Sequence, residues 1–259
     1  LFRSDLTWGS VEFIPTDEAD YRHKFYTFSI PFNELDRRGI DTSSPLELSF
    51  ALYGTVAAYA NPWNSFDPVR EQFACAYILT SDYKVHVQFV SSSGAEVDDT
   101  TLIDAVSSSP FVSIAYTPLD DRYLVAWMNQ SNEELVGRLV DGDGTDLSGS
   151  DITLVGSITT NDFQVLYDPV GDRFLLIWID GSGNMYHKFV SASGTPEADP
   201  AVPDPTGEQP NNLNAVYDPN SGKAFVVYAL NNEVPDTIEG GFIDQAGNFG
   251  DTVTICSNN

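Results

Sequence analysis

The sequence predicts an all-β fold, a five-bladed β-propeller with about 50 residues per four-stranded blade. Three landmarks that keep one period along the 259 residues predict it. A turn motif places prolines at Pro68, Pro118, Pro169 and Pro219, with spacings of 50, 51 and 50. Five residues after each proline begins an apolar run that ends in a large aromatic, namely Tyr77, Trp127, Trp178 and Tyr228. A small turn then recurs at Gly94, Gly144, Gly194 and Gly247, with spacings of 50, 50 and 53. A wedge-shaped sheet of this length cannot bury both faces alone, so copies of it stack beside one another.

The elements follow in order within each unit. Asp67, Asp168 and Asp218 precede the turn proline, with Thr117 in the fourth unit, and Asp-Pro suits a tight turn after a first strand. The second run is dense in Val, Ile, Leu and aromatics, the composition of a strand buried on both faces. The third run alternates, as in Leu135, Gly137 and Leu139 against Val136, Arg138 and Val140. A weaker fourth strand follows, for example at 151–155 or 252–256. A fainter first copy precedes these four units. Phe13-Ile14-Pro15 lies 53 residues before Pro68, and Ile40-Asp41 lies 50 residues before Val90-Ser91. The expected organisation is one domain, 1–259, with blades at about 9–50, 51–105, 106–156, 157–206 and 207–259. A ring of this kind is closed by a terminal strand, and both 1–8 and 252–256 fit that role. Residues 195–212 carry Pro196, Pro200, Pro203, Pro205 and Pro210, which marks an outer-edge connection between two blades.

Composition narrows the function. Thirty-eight acidic against 12 basic residues give a formal net charge of -26, a field that repels phosphate backbones and anionic lipid. No apolar run approaches the roughly 18 residues of a membrane helix. No nucleic-acid partner and no membrane insertion are therefore expected. Dense acid with only four lysines suits a secreted or cell-surface protein. The chain begins at Leu1, which fits both a mature form without its leader and a trimmed chain. Cys75 and Cys256 form neither a disulfide framework nor a zinc site. The equivalents of Cys75 are Val125, Leu176 and Val226, so a buried, inert thiol is expected there. Cys256 lies close to the chain end, where it could bond to another subunit.

The pattern Tyr167-Asp168-Pro169, then Arg173 through Trp178, then Lys188-Phe189-Val190-Ser191-Ala192-Ser193-Gly194 resembles blade repeats of secreted and surface β-propeller proteins of microbes. In size and blade number the chain is similar to five-bladed tachylectin-type lectins, and in period to kelch-type repeats. It departs from both: the glycine doublet Gly240-Gly241 occurs once, and the Gly-His and Trp-Asp marks of WD repeats are missing. No family's binding residues transfer to these positions. The resemblance implies an extracellular recognition or assembly scaffold more often than an enzyme.

The repeat also sorts candidate chemistry. A residue type that recurs at equivalent positions is structural, whereas a polar residue that appears once is a functional candidate. Asp67, Asp168 and Asp218 recur, as do Arg122, Arg173 and Lys223, which open the second strand and are expected to pair with the turn acids or to cap the hairpin. Asp141-Gly142-Asp143-Gly144-Thr145-Asp146 has the alternating acids of a calcium loop but neither the glycine nor the glutamate of an EF-hand, so a turn is expected and no metal site. His23, His86 and His187 are scattered; the last two fall one position out of register and point to opposite faces. Asp180-Gly181-Ser182-Gly183-Asn184 reads as a hairpin turn and not as a nucleophile elbow. Glu12 and Asp162 are off-repeat acids near first strands, the residues to test for glycosidase chemistry. Trp127 and Trp178 belong to the core. Trp8 and Trp63 have no equivalents and are the candidate binding residues, as exposed indoles for a sugar or a partner. No cofactor and no catalytic residue is expected. The leading expectation is a non-catalytic extracellular interaction or self-assembly subunit, with itself or a cell-surface protein or glycan as partner. A carbohydrate-binding lectin comes second and a five-bladed glycoside hydrolase third.

Overall fold

The computed structural model describes residues 9–16, 19–28, 59–79, 84–103, 111–129, 131–158, 160, 162–198, 200, 204, 210–230, 237–250 and 252–257. The chain forms two compact units, Leu1–Leu48 and Ser49–Asn259. In the first, β1 (Gly9–Thr16) and β2 (Ala19–Phe28) make an antiparallel hairpin whose register shifts between Pro15 and Thr16.

The second unit holds four antiparallel sheets, each built from consecutive strands in chain order. Sheet I is β3 (Tyr59–Asp67), β4 (Gln72–Leu79), β5 (Val85–Ser91) and β6 (Glu96–Ile103). Sheet II is β7 (Val112–Thr117), β8 (Arg122–Asn129), β9 (Glu134–Asp141) and β10 (Ile152–Val155). Sheet III is β11 (Asp162–Asp168), β12 (Arg173–Ile179) and β13 (Met185–Ser191). Sheet IV is β14 (Pro210–Asp218), β15 (Lys223–Leu230), β16 (Thr237–Ile243) and β17 (Val253–Ser257). First strands of successive sheets are neighbours: β3 beside β7, β7 beside β11, β11 beside β14. This is the radial order of β-propeller blades.

Sheet III departs from the four-strand pattern. Outside β13 the backbone N–H of Glu197 donates to the Phe189 carbonyl (2.9 Å) and that of Asp204 to the Met185 carbonyl (2.7 Å). Pro196 and Pro200 lie along this stretch, and a proline cannot donate to a ladder, so among the described residues Glu197 and Asp204 reach this edge by single bonds. At the other end of the unit, β17 pairs with β16 and so completes its own sheet. The alternative closing segment, 1–8, lies outside the described residues.

The second strand of each sheet governs how the sheets pack. Tyr123, Val125 and Trp127 of β8 meet Ala74, Ala76 and Ile78 of β4 in one core cluster. Leu124, Ala126 and Met128 on the opposite face of β8 meet Phe174, Leu176 and Trp178 of β12 in a second. Leu175, Ile177 and Ile179 meet Ala224, Val226 and Tyr228 of β15 in a third. Strands β8 and β12 are thus buried on both faces, as the composition predicts. Strands β4 and β15 alternate between buried and half-buried, because each packs against a single sheet of this unit. Phe73, Cys75 and Tyr77 lie on the less buried face of β4, and Phe225, Val227 and Ala229 on that of β15. This corrects the expectation for Cys75, whose thiol is half-buried.

The turns tie the sheets together. Asp67 and Asp168 each accept two turn N–H groups: Val69 (2.7 Å) and Arg70 (3.1 Å), and Val170 and Gly171 (both 3.0 Å). The hairpin closes on a left-handed residue, Glu71, Asp121, Asp172 or Gly222, at φ of 52, 53, 47 and 67°. Arg173 pairs with Asp168 at 3.0 Å as expected. Arg122, opposite Thr117, caps its hairpin by donating to the Asp120 carbonyl (3.2 Å). The strand-opening residue also has a second role that its repetition concealed. Gln72 donates to the Gly142 carbonyl (2.8 Å) and Arg173 to the Gln245 carbonyl (2.6 Å), each in the next sheet's third turn. Arg70 bridges to Asp121, and Thr117 donates to Asp172 (3.2 Å). In the acidic loop Asp141 accepts the N–H groups of Asp143 and Thr145 (both 3.0 Å), and Asp143 accepts the Thr145 hydroxyl (2.7 Å), so these carboxylates build the turn.

Asp168 is fully buried. Burial pushes its carboxyl up, but donation from Tyr217, the Gly171 N–H, Arg173 and Gln245 outweighs this and holds it below the usual range. A depressed carboxyl stabilises the fold above its unfolded-state pKa of about 3.9, and that contribution is lost as pH falls through the folded value. The melting temperature is therefore expected to drop as pH falls below about 4. Asp168→Asn should flatten that acid limb in calorimetric scans.

Candidate functional site

In this architecture each first strand has one edge paired within its own sheet and one edge free. Its free N–H and C=O groups must find partners elsewhere. In sheets II and III the residue five positions before the turn proline supplies them. Ser113 Oγ accepts the Val165 N–H at 2.9 Å, across from sheet II to sheet III. Gln164, its equivalent in sheet III, donates Nε2 to the Ala215 carbonyl (2.9 Å) and accepts the Ala215 N–H (2.6 Å). Two residues earlier Asp162 accepts the Leu213 N–H at 3.0 Å on both carboxylate oxygens. Ser113 and Gln164 are buried, so each of these bonds satisfies groups that water does not reach.

Burial pushes the Asp162 carboxyl up, and the N–H groups of Leu213 and Asn212 pull it part of the way back, leaving it raised. Chemically it is a desolvated carboxyl tied to a neighbouring backbone. Glycosidic acid–base chemistry takes a second carboxyl across the scissile bond. The partner suggested by sequence, Glu12, sits opposite Phe25 in the β1–β2 register, and its side chain lies outside the described residues. Trp63 lies in β3 with Ala76 as its nearest cross-strand neighbour, and its side chain is likewise outside them. Trp8 lies outside the described residues altogether.

One residue stands out that sequence reasoning set aside. His187 in β13 lines a cleft of about 440 Å3 between sheets III and IV, together with Arg173, Lys188, Glu197, Asp204 and Phe249. Its Nδ1 is 2.8 Å from Asp204 Oδ2, and its Nε2 is 3.1 Å from the Gly247 carbonyl. Arg173 lies over the Phe189 ring at 3.3 Å. The equivalents of His187 are Val87, Gly137 and Gly240, so the once-only criterion already singled it out. What the sequence hid was its partners, 17 and 60 residues away. His86 lies in sheet I and stacks on Tyr77 with centroids 5.3 Å apart.

No family model matches the sequence. No curated protein matches it either. Solved structures do resemble it in fold. Hydrazine synthase of Kuenenia stuttgartiensis is similar with a TM-score of 0.51 and 18% identity, over 75% of this chain and 53% of that one. An exo-β-1,3-galactanase of Phanerochaete chrysosporium, solved with β-1,3-galactotriose, gives 0.51 and 10% identity over 80% and 53%. The β-propeller domain of the Trilobed protease of Pyrococcus furiosus gives 0.45 and 8% identity over 80% and 59%. The chain thus spans about half the length of the first two. Its antiparallel sheets, with their first strands side by side, have the order of β-propeller blades.

Proposed function

We propose that the protein is a non-catalytic, five-bladed β-propeller that acts outside the cell as an interaction or self-assembly subunit. The observation that carries this reading is the use made of polar side chains on the first strands. Ser113, Gln164 and Asp162 all grip the backbone of the next sheet. A catalytic pair would instead leave its carboxyls facing open space, ready for substrate. Support for the blade count comes from the half-buried faces of β4 and β15. Their equivalents in sheets II and III lie in inter-sheet cores, and residues 9–50 carry the fainter first copy of the repeat. Support for association comes from β17, the last strand of its sheet, where Val253 and Ile255 are each 49% exposed and Cys256 is exposed. An apolar outer strand is a template for pairing with another chain.

Four measurements test this reading. Asp162→Ala should lower the unfolding free energy by about 1–3 kcal/mol through an orphaned Leu213 N–H. Turnover of aryl glycosides and polysaccharides should stay at background in both proteins. Turnover by the wild type that Asp162→Ala abolishes would make it an enzyme. In sedimentation velocity at high concentration the wild type should form oligomers that Ile255→Lys reduces, and a strict monomer argues against assembly. Finally, Cys256, which is exposed, should react with a thiol reagent faster than the half-buried Cys75 in the native protein. Equal rates would argue against an exposed outer strand as the associating edge.

A further inference from the structure

We propose that Asn129 is the acceptor of an N-linked glycan, a reading that rests on the proposed extracellular role. Asn129-Gln130-Ser131 is an Asn-x-Ser tripeptide without a proline in the middle, the pattern that an oligosaccharyl transferase accepts. Asn129 is the last residue of β8 and stands opposite Glu134 of β9, so the tripeptide opens the hairpin between the second and third strands of sheet II. Asn129 is half-buried, and Ser131, Asn132 and Glu133 are exposed. Asn129 Oδ1 accepts the Ser131 N–H at 3.1 Å. This Asx turn fixes the carboxamide and sets the two residues that the motif requires beside one another. Among the described residues none accepts a hydrogen bond from Asn129 Nδ2.

The repeat shows that the turn itself needs no amide. Asp180 holds the equivalent position in sheet III, 11 residues after Pro169 as Asn129 is after Pro118. Its Oδ1 accepts the Ser182 N–H at 2.9 Å and the Asn184 N–H at 2.8 Å. An oxygen is all that such a turn takes from the side chain. Sheets I and IV have Leu79 and Leu230 at this position. The carboxamide nitrogen therefore occurs once among these four equivalents and plays no part in the turn. Amides elsewhere are taken up by their own turns: Asn184 Nδ2 donates to Asp180 (3.2 Å) and Asn248 Nδ2 to Asp244 (3.0 Å). The co-reactant is an oligosaccharide on a polyisoprenyl pyrophosphate, presented by the transferase. Nδ2 attacks its anomeric carbon. The new C–N bond replaces the C–O bond to the pyrophosphate, which leaves with the bonding electron pair. The displaced amide proton passes to a base on the transferase, and nothing is oxidised or reduced. β8 runs from the Pro118 turn to Asn129, so a hydrated glycan there keeps the opposite end of sheet II out of contacts between copies.

Peptide mapping of the protein recovered from its source cells and their medium tests this. Enzymatic release of N-glycans in 18O water should label position 129 in most chains from the medium or the cell surface. Expressed in the same cells, Asn129→Gln and Ser131→Ala should each lose the glycan entirely, and Ser131→Thr should keep it. Asn129→Asp separates the modification from the turn. It should lose the glycan, yet melt with the wild type when both are made in a bacterial cytoplasm. A lower melting temperature would give the amide a structural role and overturn the argument. Extracellular protein with a bare Asn129 would overturn the proposal and leave the extracellular role standing. Protein found only inside the cell, with Asn129 bare, would overturn both.

Discussion

The fold depends on a division of labour between the two faces of each second strand. One face of β8 receives β4, and the other meets β12; the same holds one sheet further on, where β12 stands between β8 and β15. Each interface is built from two dissimilar surfaces, with small residues set against bulky ones. Ala74 and Ala76 oppose Tyr123 and Trp127, and Ala126 opposes Trp178 and Phe174. Such alternation fills the space between twisted sheets to interior density. It also gives the stack a direction, since a face that accepts its successor cannot equally accept a copy of itself.

Around that apolar layer run two polar belts. Nearest the first strands, Ser113, Gln164 and Asp162 bond to main-chain atoms of the next sheet. At the hairpin turns, Gln72 and Arg173 reach main-chain carbonyls, while Arg70, Thr117 and Gln245 reach carboxylates. The net charge of -26 makes the few cations conspicuous. Arg70 and Arg173 are spent on these inter-sheet junctions, and Arg138 on Asp146 and Asp151 within its own sheet. They relieve local repulsion where acids crowd.

Much of this was legible in the sequence because repetition reports geometry. The spacing of Pro68, Pro118, Pro169 and Pro219 located every first hairpin of the second unit, and the aromatics nine positions later located the cores. Turn chemistry was legible too, as the Asp141 and Asp180 loops show. Three things were not. Cys75 was assigned by analogy with Val125 and Leu176, and analogy between copies says nothing about which copy stands at the end of a row. The single bonds from Glu197 and Asp204 to β13 lie in a proline-rich stretch whose course along the ladder one sequence does not show. The roles of Gln164, Asp162 and His187 depend on partners 51, 51 and 60 residues away, a distance over which one sequence without relatives gives no pairing signal.

The clasp made by Gln164 grips the N–H and the C=O of Ala215, groups that every residue except proline possesses. It therefore asks nothing of the side chain at the position it holds. Neighbouring copies are free to drift apart in composition while staying docked, and a gene that lengthens by duplication gains a module that already fits. The low resemblance between the repeated segments, set beside their common frame, is what such permissive joinery leaves behind.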